Sequence, residues 1–450
     1  MTDAPNADGK LKRTLGPVML WGLGVGYVIS GEYFGWNLGL PLGGTYGMLA
    51  ATLVITVMYV TFILSYTELA CAIPRAGGAF VYCSRALGPL AGSVAGIVQI
   101  VEFVFAPPAI AMAIGAYVQQ RFPNVDPMLS AMVAYVLFTG LNAWGVKQAA
   151  IFELVVTVLA VVELLIFMAV VTPSASVENF HMDPLPNGWG GFFACLPFAI
   201  WFYLAIEGVA NAAEEARDPQ RNVAIGFGAA IFTLVILALG VFFTATSVAG
   251  WRAIVFPPGS TDMSDAPLPL ALAHVVSPES ALYTMLLGIG LLGLIASFHG
   301  IILAAGRATM EFGRSGYAPR ILGRVHPTRA TPTVALLVNL GLGLVAITTG
   351  RTGEIITLAC FGALSLYILS MIALIVLRKR EPELERPFRA VAYPAFPLIA
   401  LTIAALSLVA MSIYNPIIAA IFFAIVALAI GYYFLFVRGQ IDEDWAKQDV

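Results

Sequence analysis

Apolar stretches that are long enough to cross a lipid bilayer recur from one end of this sequence to the other. A helix needs about 20 apolar residues to span the hydrocarbon core. Hydrophobic residues make up 60% of the 450-residue chain and charged residues only 11%. A transmembrane β-barrel would show short segments of alternating polarity instead. The sequence therefore predicts an all-α polytopic membrane protein.

We predict twelve spans and number them segments 1 to 12 along the chain. Their bounds are 15–40, 46–73, 91–119, 128–144, 150–171, 191–213, 223–248, 281–308, 333–349, 354–377, 393–413 and 416–437. Residues 1–14 and 438–450 form polar tails, and residues 15–437 form a single membrane domain, since no large soluble domain fits between the spans.

Basic residues are distributed unevenly between the two sides of these spans. If the N-terminus is cytoplasmic, all but three of the 23 lysines and arginines fall in cytoplasmic loops and tails. The exceptions are Arg121, Arg252 and Arg351. Cytoplasmic loops carry an excess of lysine and arginine, so we expect both chain ends in the cytoplasm and the protein in the bacterial inner membrane. No basic residue lies in the interior of a span.

Several classes of function find no support in the sequence. A net charge of −3 gives no reason to expect a nucleic-acid partner. The four cysteines show no C-x-x-C spacing, so neither a disulfide framework nor a metal site is expected. Residues 288–293 match G-x-G-x-x-G but lie inside an apolar span with no preceding strand, which argues against nucleotide binding. No cofactor is expected, and no enzyme motif is present.

A carboxylate in segment 1 is the most unusual residue of the spans. A charge at mid-membrane depth costs roughly 2.5–3.5 kcal/mol on insertion scales, and Glu32 has no basic residue in any span to pair with. It follows Ser30 and Gly31, which can interrupt a helix. This combination predicts a binding site for a positively charged group. The alternative is that the glycines of segment 1 form a helix-packing face.

Other acids and one histidine also fall within the spans. Glu207 precedes a glycine in segment 6 and follows a group of aromatic residues, and Glu102 precedes two prolines in segment 3. For Glu153 and Glu163 we favour neutral acids hydrogen-bonded to neighbouring helices. Glu68 is expected at the cytoplasmic interface. For His299 a hydrogen-bonded structural role is favoured over titration near pH 6.5.

Four stretches resemble the amino acid–polyamine–organocation (APC) transporters, and within that superfamily the chain looks most like bacterial ethanolamine permeases. They are Gly24-Val25-Gly26 through Gly31-Glu32, Ser65-Tyr66-Thr67-Glu68 with Ile73-Pro74-Arg75, Ile206-Glu207-Gly208 leading to Asp218-Pro219, and Arg307-Ala308-Thr309-Met310 through Gly316-Tyr317-Ala318-Pro319.

The resemblance implies a LeuT-like fold, with two inverted five-helix repeats at about 15–171 and 191–377 and two extra helices at about 393–437. It also implies that substrate binds between the interrupted middles of segments 1 and 6 and crosses by alternating access. The residues that match the family's substrate site are Ile29, Ser30, Gly31, Glu32, Tyr33, Glu102, Trp201, Phe202, Tyr203 and Ala205. Glu207 and His299 are the candidates for coupling.

Two departures from the family pattern bear on the substrate. Amino-acid-selective members hold a carboxylate on the backbone N–H groups of a Gly-Ser/Ala-Gly break, whereas this chain has Glu32 there. A carboxylate at that point repels another carboxylate and attracts an ammonium. Ala205 replaces the usual glycine of segment 6, which makes unwinding there less expected.

We therefore expect a secondary transporter that imports ethanolamine or a closely related small cationic amine. The alternative is an amino acid or polyamine permease or exchanger of the same superfamily. The coupling ion, a proton or sodium, stays open, and so does the oligomeric state. Membrane lipid is the only other expected partner.

Overall fold

The computed structural model describes residues 15–75, 77–145, 150–329 and 331–439, apart from the side chains of 150–152 and 214. The predicted tail 1–14 and nearly all of the tail 438–450 lie outside these ranges, and so do several of the basic residues used for the orientation. These are Lys10, Lys12, Arg13, Lys147 and Lys447.

The described chain is helical throughout, apart from loops and a single isolated bridge between Leu15 and Ala216. Ten of its helices are long and apolar enough to cross a membrane, and two shorter apolar helices complete the twelve predicted segments. Segment 2, Leu40–Ala72, has a kink at Gly44, where φ is +62°. The other segments without a mid-length interruption are Pro89–Arg121, Pro127–Trp144, Ala150–Val171, Pro219–Ala249, Ala281–Arg314, Thr333–Thr348, Thr352–Arg380, Ala395–Tyr414 and Pro416–Tyr432. The predicted all-α polytopic fold is confirmed.

Short helices occupy the connections between segments. They are Ala79–Leu87, Val177–Phe180, Gly190–Ala194, Trp251–Val255 and Pro267–Ala273. We call the last of these the loop helix. A π-helical turn, Tyr433–Val437, follows segment 12.

Proline and glycine mark several of the segment ends. Segments 3, 4, 7 and 12 each begin at a proline, where the missing N–H costs no helical hydrogen bond. Asp126 caps segment 4 by accepting a hydrogen bond of 2.7 Å from the Leu129 N–H. Gly145 ends the same helix with φ of +87°, a left-handed conformation that glycine adopts readily.

Segment 1 is interrupted at mid-length, as predicted. Its α-helix Pro17–Val28 ends before Ile29, and a further turn covers Ser30–Tyr33. The chain then becomes extended at Phe34, turns at Gly35 with φ of +92°, and forms a 3-10 turn over Trp36–Gly39. The full break thus lies just after Glu32 rather than at Ser30 and Gly31.

Segment 6 is interrupted as well, and the expectation about Ala205 is corrected. The α-helix Leu196–Trp201 ends at mid-length, and Ala205 adopts φ of +75°. A left-handed conformation costs an alanine about 1–2 kcal/mol, so packing around it holds the break in place. The following ten residues, Ile206–Glu215, form a 3-10 helix, which is unusually long for this helix type and typical of a hinge.

The two interruptions pack directly on each other. A Cβ atom added at Gly31 would lie 2.4 Å from the backbone oxygen of Trp201, and one added at Gly35 would lie 2.4 Å from the Trp201 indole. Phe34 also meets the Trp201 ring edge-on, with 5.5 Å between ring centroids. Glycine at these two positions therefore allows the middles of segments 1 and 6 to touch.

The packing partners repeat with a shift of five segments. Segment 3 packs on segment 10 as segment 8 packs on segment 5, and segment 1 packs on segment 7 as segment 6 packs on segment 2. Segments 3 and 4 pair as segments 8 and 9 do. This pattern agrees with two related halves of five segments, whose bounds stay a prediction.

Ion pairs join helices and loops at one end of the bundle, which we call the basic end. Glu68 is buried there near the end of segment 2, and its interfacial position stays a prediction. The Arg378 Nε–H donates to it at 2.8 Å, Arg386 Nε lies 3.2 Å away, and the Ala390 N–H donates at 2.7 Å. A second pair joins Arg85 to Glu381 at 2.7 Å. These contacts tie segments 2 and 10 and their adjoining loops together at this end, opposite the loop helix.

The close contact between Gly31 and Trp201 predicts that a methyl group added at Gly31 destabilises the protein. Gly31→Ala should lower the free energy of unfolding by about 1–3 kcal/mol, the usual cost of overpacking, because the new Cβ atom would overlap the Trp201 carbonyl. Thermal unfolding of the purified protein measures this. The matched control is Gly228→Ala in segment 7, where a Cβ atom meets nothing within 4 Å. Equal stability of the two variants would contradict the packing described here.

Candidate substrate site

Glu32 is fully buried, and its carboxylate has no partner in the part of the chain that the structure describes. Its relative exposure is 0%. Neither carboxylate oxygen accepts a hydrogen bond there, and the ion pairs found among these residues do not include it. The Trp36 indole N–H reaches only the Glu32 backbone oxygen, at 3.2 Å. A buried charge without a partner is strongly unfavourable, so this carboxylate requires a proton or an incoming cation.

Two buried tyrosines of the interrupted segments, Tyr33 and Tyr203, have hydroxyl groups that bond to residues other than Glu32. The Tyr203 hydroxyl forms a 2.7 Å hydrogen bond with Thr56 of segment 2. The Tyr33 hydroxyl donates to Glu163 of segment 5, also at 2.7 Å. Both hydroxyls are therefore bound elsewhere and leave the carboxylate unsatisfied.

A small cavity of about 10 Å³, the space of a single water molecule, lies between the two interruptions. Its lining consists of Tyr27, Val28, Ser30, Ala106, Trp201, Leu204 and Ile301. The Trp201 indole N–H is buried without a hydrogen-bond acceptor among the described residues. Ser297 of segment 8 lies 2.9 Å from the Ser30 hydroxyl and 2.8 Å from the Tyr27 backbone oxygen. Ser30 and Trp201 thus line the cavity, whereas Glu32 lies outside this lining.

The remaining predicted aromatic residues pack on their neighbours. Phe202 stacks on Trp36 at 5.8 Å, and Tyr203 contacts the Tyr59 ring at 5.0 Å. Ile29 is buried without exposure. Ser30 and Trp201 therefore line the cavity, whereas Ile29 and Phe202 are buried and are not part of its lining.

A second acidic group joins segments 3, 6 and 10. The Tyr367 hydroxyl donates to Glu207 at 2.9 Å and lies 3.5 Å from Glu102. The Tyr59 hydroxyl lies 3.2 Å from that of Tyr367. Tyr367 thus contacts both carboxyl groups, while Glu102 Oε2 and Glu207 Oε1 are buried without a hydrogen-bond partner among the described residues. We call Glu102 and Glu207 the acid pair.

The chemistry of this pair requires a proton. Two buried carboxylates beside a single hydroxyl donor repel each other when both are ionised, and one proton on the pair relieves this repulsion. Glu207 lies near the start of the 3-10 helix of segment 6, two residues after Ala205. A proton held here is therefore next to the hinge of segment 6.

His299 is not brought together with this group by any of the contacts described. Its ring meets Phe138 of segment 4 edge-on at 6.0 Å, and its backbone oxygen accepts a long hydrogen bond from Asn142. The ring Nδ1 is buried without a partner among the described residues. A structural position in the packing is supported, but the expected hydrogen bond at Nδ1 is not seen.

The sequence reasoning missed the tyrosines that contact the acids. Tyr59 and Tyr367 are not among the predicted site residues, and Tyr33 is among them only as a match to the family's substrate site. A buried tyrosine hydroxyl usually finds a hydrogen-bond partner, so tyrosines inside apolar spans that also contain acids are the signal that would have identified them.

The comparison with protein families matches this architecture. A family model described as amino acid permease covers residues 15–443. The chain belongs to the amino acid permease family. This is a family of multi-pass membrane transporters, which agrees with the interrupted segments and the central cavity, and it is not a class of enzymes.

Characterised and uncharacterised relatives align over most of their length. An uncharacterised transporter of Rhizobium meliloti is 29% identical over 88% of this chain and 85% of its own. A branched-chain amino acid permease of Bacillus subtilis is 25% identical, and a methylthioribose transporter of the same organism is 26% identical, each over 88% of both chains. These names show that similar chains carry substrates of different chemistry.

Proposed function

We propose that this permease imports ethanolamine or a closely related small amine, with Glu32 as the group that pairs with the ammonium. The observation that carries the proposal is a fully buried carboxylate whose two oxygens have no partner among the described residues. An ammonium supplies both the missing charge and up to three N–H donors. A substrate with its own carboxylate would bring like charges together at the same point.

The surroundings of Glu32 support a small substrate. Segments 1 and 6 touch at Gly31 and Trp201, so only a modest separation of the two interruptions makes room beside the carboxylate. The cavity next to this contact adds the Trp201 ring and the Ser30 hydroxyl. The attraction between a cation and the ring face is worth about 0.5–2 kcal/mol. The hydroxyl of ethanolamine forms a hydrogen bond with the Ser30 hydroxyl.

The orientation belongs to the same proposal. The basic end, where Arg85, Arg378 and Arg386 form their ion pairs, faces the cytoplasm of a bacterial cell. The ion pairs of Glu68 close that side, so the cytoplasmic exit opens only when these contacts loosen. Alternating access then consists of movement at the interruptions of segments 1 and 6 and at the basic end.

The coupling ion in this proposal is a proton, carried by Glu207 together with Glu102. The two carboxyl groups hold one proton between them, and Tyr367 donates to the side that is ionised. Loss of that proton leaves two adjacent negative charges, which repel each other and disturb the start of the 3-10 helix. The charge state of the acid pair thereby influences the hinge of segment 6.

The direct test of the substrate group is Glu32→Gln. Loss of one partner of a buried charge pair costs about 2–5 kcal/mol, and 1.4 kcal/mol is a factor of ten in affinity. Equilibrium binding of ethanolamine to the purified protein should therefore weaken by roughly 30-fold or more. Glu32→Asp, which keeps the charge, should retain part of the affinity, and Glu279→Gln on an exposed loop should retain all of it. Unchanged ethanolamine affinity in Glu32→Gln would reject the charge-pairing proposal.

The coupling is tested with Glu207→Gln in proteoliposomes. The amide keeps a donor and an acceptor next to Tyr367 but exchanges no proton. Uptake driven by a pH gradient should be lost, while counterflow exchange of labelled ethanolamine continues. The control is the wild-type protein under a sodium gradient at equal pH on both sides. If the sodium gradient drives uptake and the pH gradient does not, the acid pair is not the coupling site.

A further inference from the structure

The glycine-rich motif of segment 8 packs against the side chain of Tyr33. A Cβ atom added at Gly290 would lie 3.1 Å from the Tyr33 ring, and one added at Gly293 would lie 3.0 Å from the ring and 3.1 Å from its hydroxyl oxygen. The two glycines are three residues apart and therefore share one face of the helix. At Gly288, by contrast, an added Cβ atom meets nothing within 4 Å. Gly290 and Gly293, which we call the tyrosine slot, thus give this motif a packing role toward segment 1.

The hydroxyl of Tyr33 is held by segment 5. It donates to Glu163 at 2.7 Å and lies 3.1 Å from the Ala160 backbone oxygen. The Tyr33 backbone oxygen in turn accepts a 3.3 Å hydrogen bond from the Tyr117 hydroxyl of segment 3. Tyr33 is only 1% exposed, so segments 3, 5 and 8 together enclose and bond this one residue of segment 1.

The space around Glu163 is too small for a substrate. The adjoining cavity, whose walls include Tyr117, Glu163 and Phe167, has a volume of about 10 Å³, which is room for one water molecule. Glu163 is buried, and the ion pairs of the described residues do not include it. Its hydrogen bond with Tyr33 is therefore the contact through which it can influence the central site.

Tyr33 directly follows Glu32 in the four-residue turn Ser30–Tyr33. Successive side chains of a helical turn point about 100° apart, so the direction of one fixes the direction of the next. The turn ends at Phe34, where the chain becomes extended, and so short a helical piece is not stable on its own. Contacts with other segments must therefore hold the turn, and Tyr33 makes such contacts with three of them.

We propose that Tyr33 is the positioning residue of Glu32. The tyrosine slot and Glu163 hold its side chain, and the turn that it fixes directs the Glu32 carboxylate toward the ammonium. In this arrangement Tyr33 does not touch the substrate, in contrast to its predicted place in the family's substrate site. Glu163 acts as the hydrogen-bond acceptor of Tyr33, so an amide can replace it. This inference rests on the proposed function, because it explains how the carboxylate that pairs with the ammonium is held in place.

The test is a double-mutant cycle on equilibrium binding of ethanolamine to the full-length protein. Tyr33→Phe keeps the ring in the tyrosine slot but removes the hydrogen bond to Glu163, and it should weaken binding about tenfold. In the Glu32→Gln background the same substitution should change the affinity by less than about twofold, because no charge is left to position. A residue that only supports the fold would weaken binding equally in both backgrounds.

Glu163 and the tyrosine slot supply the matched variants. Glu163→Leu should weaken binding about as much as Tyr33→Phe does, and the two substitutions together should cost no more than either alone. Glu163→Gln keeps an acceptor for the Tyr33 hydroxyl and should restore most of the affinity. Gly293→Ala should displace the Tyr33 ring and weaken binding too, whereas the control Gly288→Ala should bind as wild type does.

The outcomes separate a failure of this inference from a failure of the proposed function. Equal weakening by Tyr33→Phe in the wild-type and Glu32→Gln backgrounds would overturn the positioning role and leave the proposed function in place. Unchanged affinity in Tyr33→Phe, or a Glu163→Gln variant that binds as weakly as Glu163→Leu, would overturn it as well. If Glu32→Gln itself binds ethanolamine as tightly as wild type, the proposed function fails, whatever Tyr33→Phe shows.

Discussion

A carboxylate inside a bundle of apolar helices must find a counter-charge, a proton or a set of hydrogen-bond donors, because desolvation makes its isolated charge very costly. Each buried acid of this permease meets that requirement differently. Glu68 is paired with two arginines at the basic end. Glu102 and Glu207 share the hydroxyl of Tyr367. Glu32 has none of these solutions among the described residues, which is why we propose it as the group that pairs with the substrate.

The two helix interruptions explain why these acids can act on the conformation of the protein. Gly31 and Gly35 let the middle of segment 1 touch Trp201. A ligand or a charge that displaces one interruption therefore also displaces residues of the other. Ala205 holds a strained conformation only because the packing around it requires one. In the proposed mechanism, a substrate that separates segments 1 and 6 changes contacts at the start of the 3-10 helix, where Glu207 lies.

Much of the fold follows from the sequence, because bilayer thickness fixes the length of an apolar helix and the uneven distribution of arginine suggests its orientation. The interruption of segment 1 was also predictable from its glycines and serine. The partners of the acids were not, since Arg378 is 310 residues from Glu68 and Tyr367 is 160 residues from Glu207. Local patterns contain no information about such contacts. Ala205 was misjudged because alanine shows no intrinsic preference for the conformation that tertiary packing imposes on it.

The central claim is that the site accepts an ammonium and rejects a carboxylate. Serine is ethanolamine with one carboxylate added, so the two compounds test this claim with a single group. Thermal unfolding of the wild-type protein is the most direct measurement, because a ligand at 100 times its dissociation constant stabilises the folded state by about 2.7 kcal/mol. The account predicts saturable stabilisation by ethanolamine and none by serine at the same concentrations. Equal or greater stabilisation by serine would contradict it.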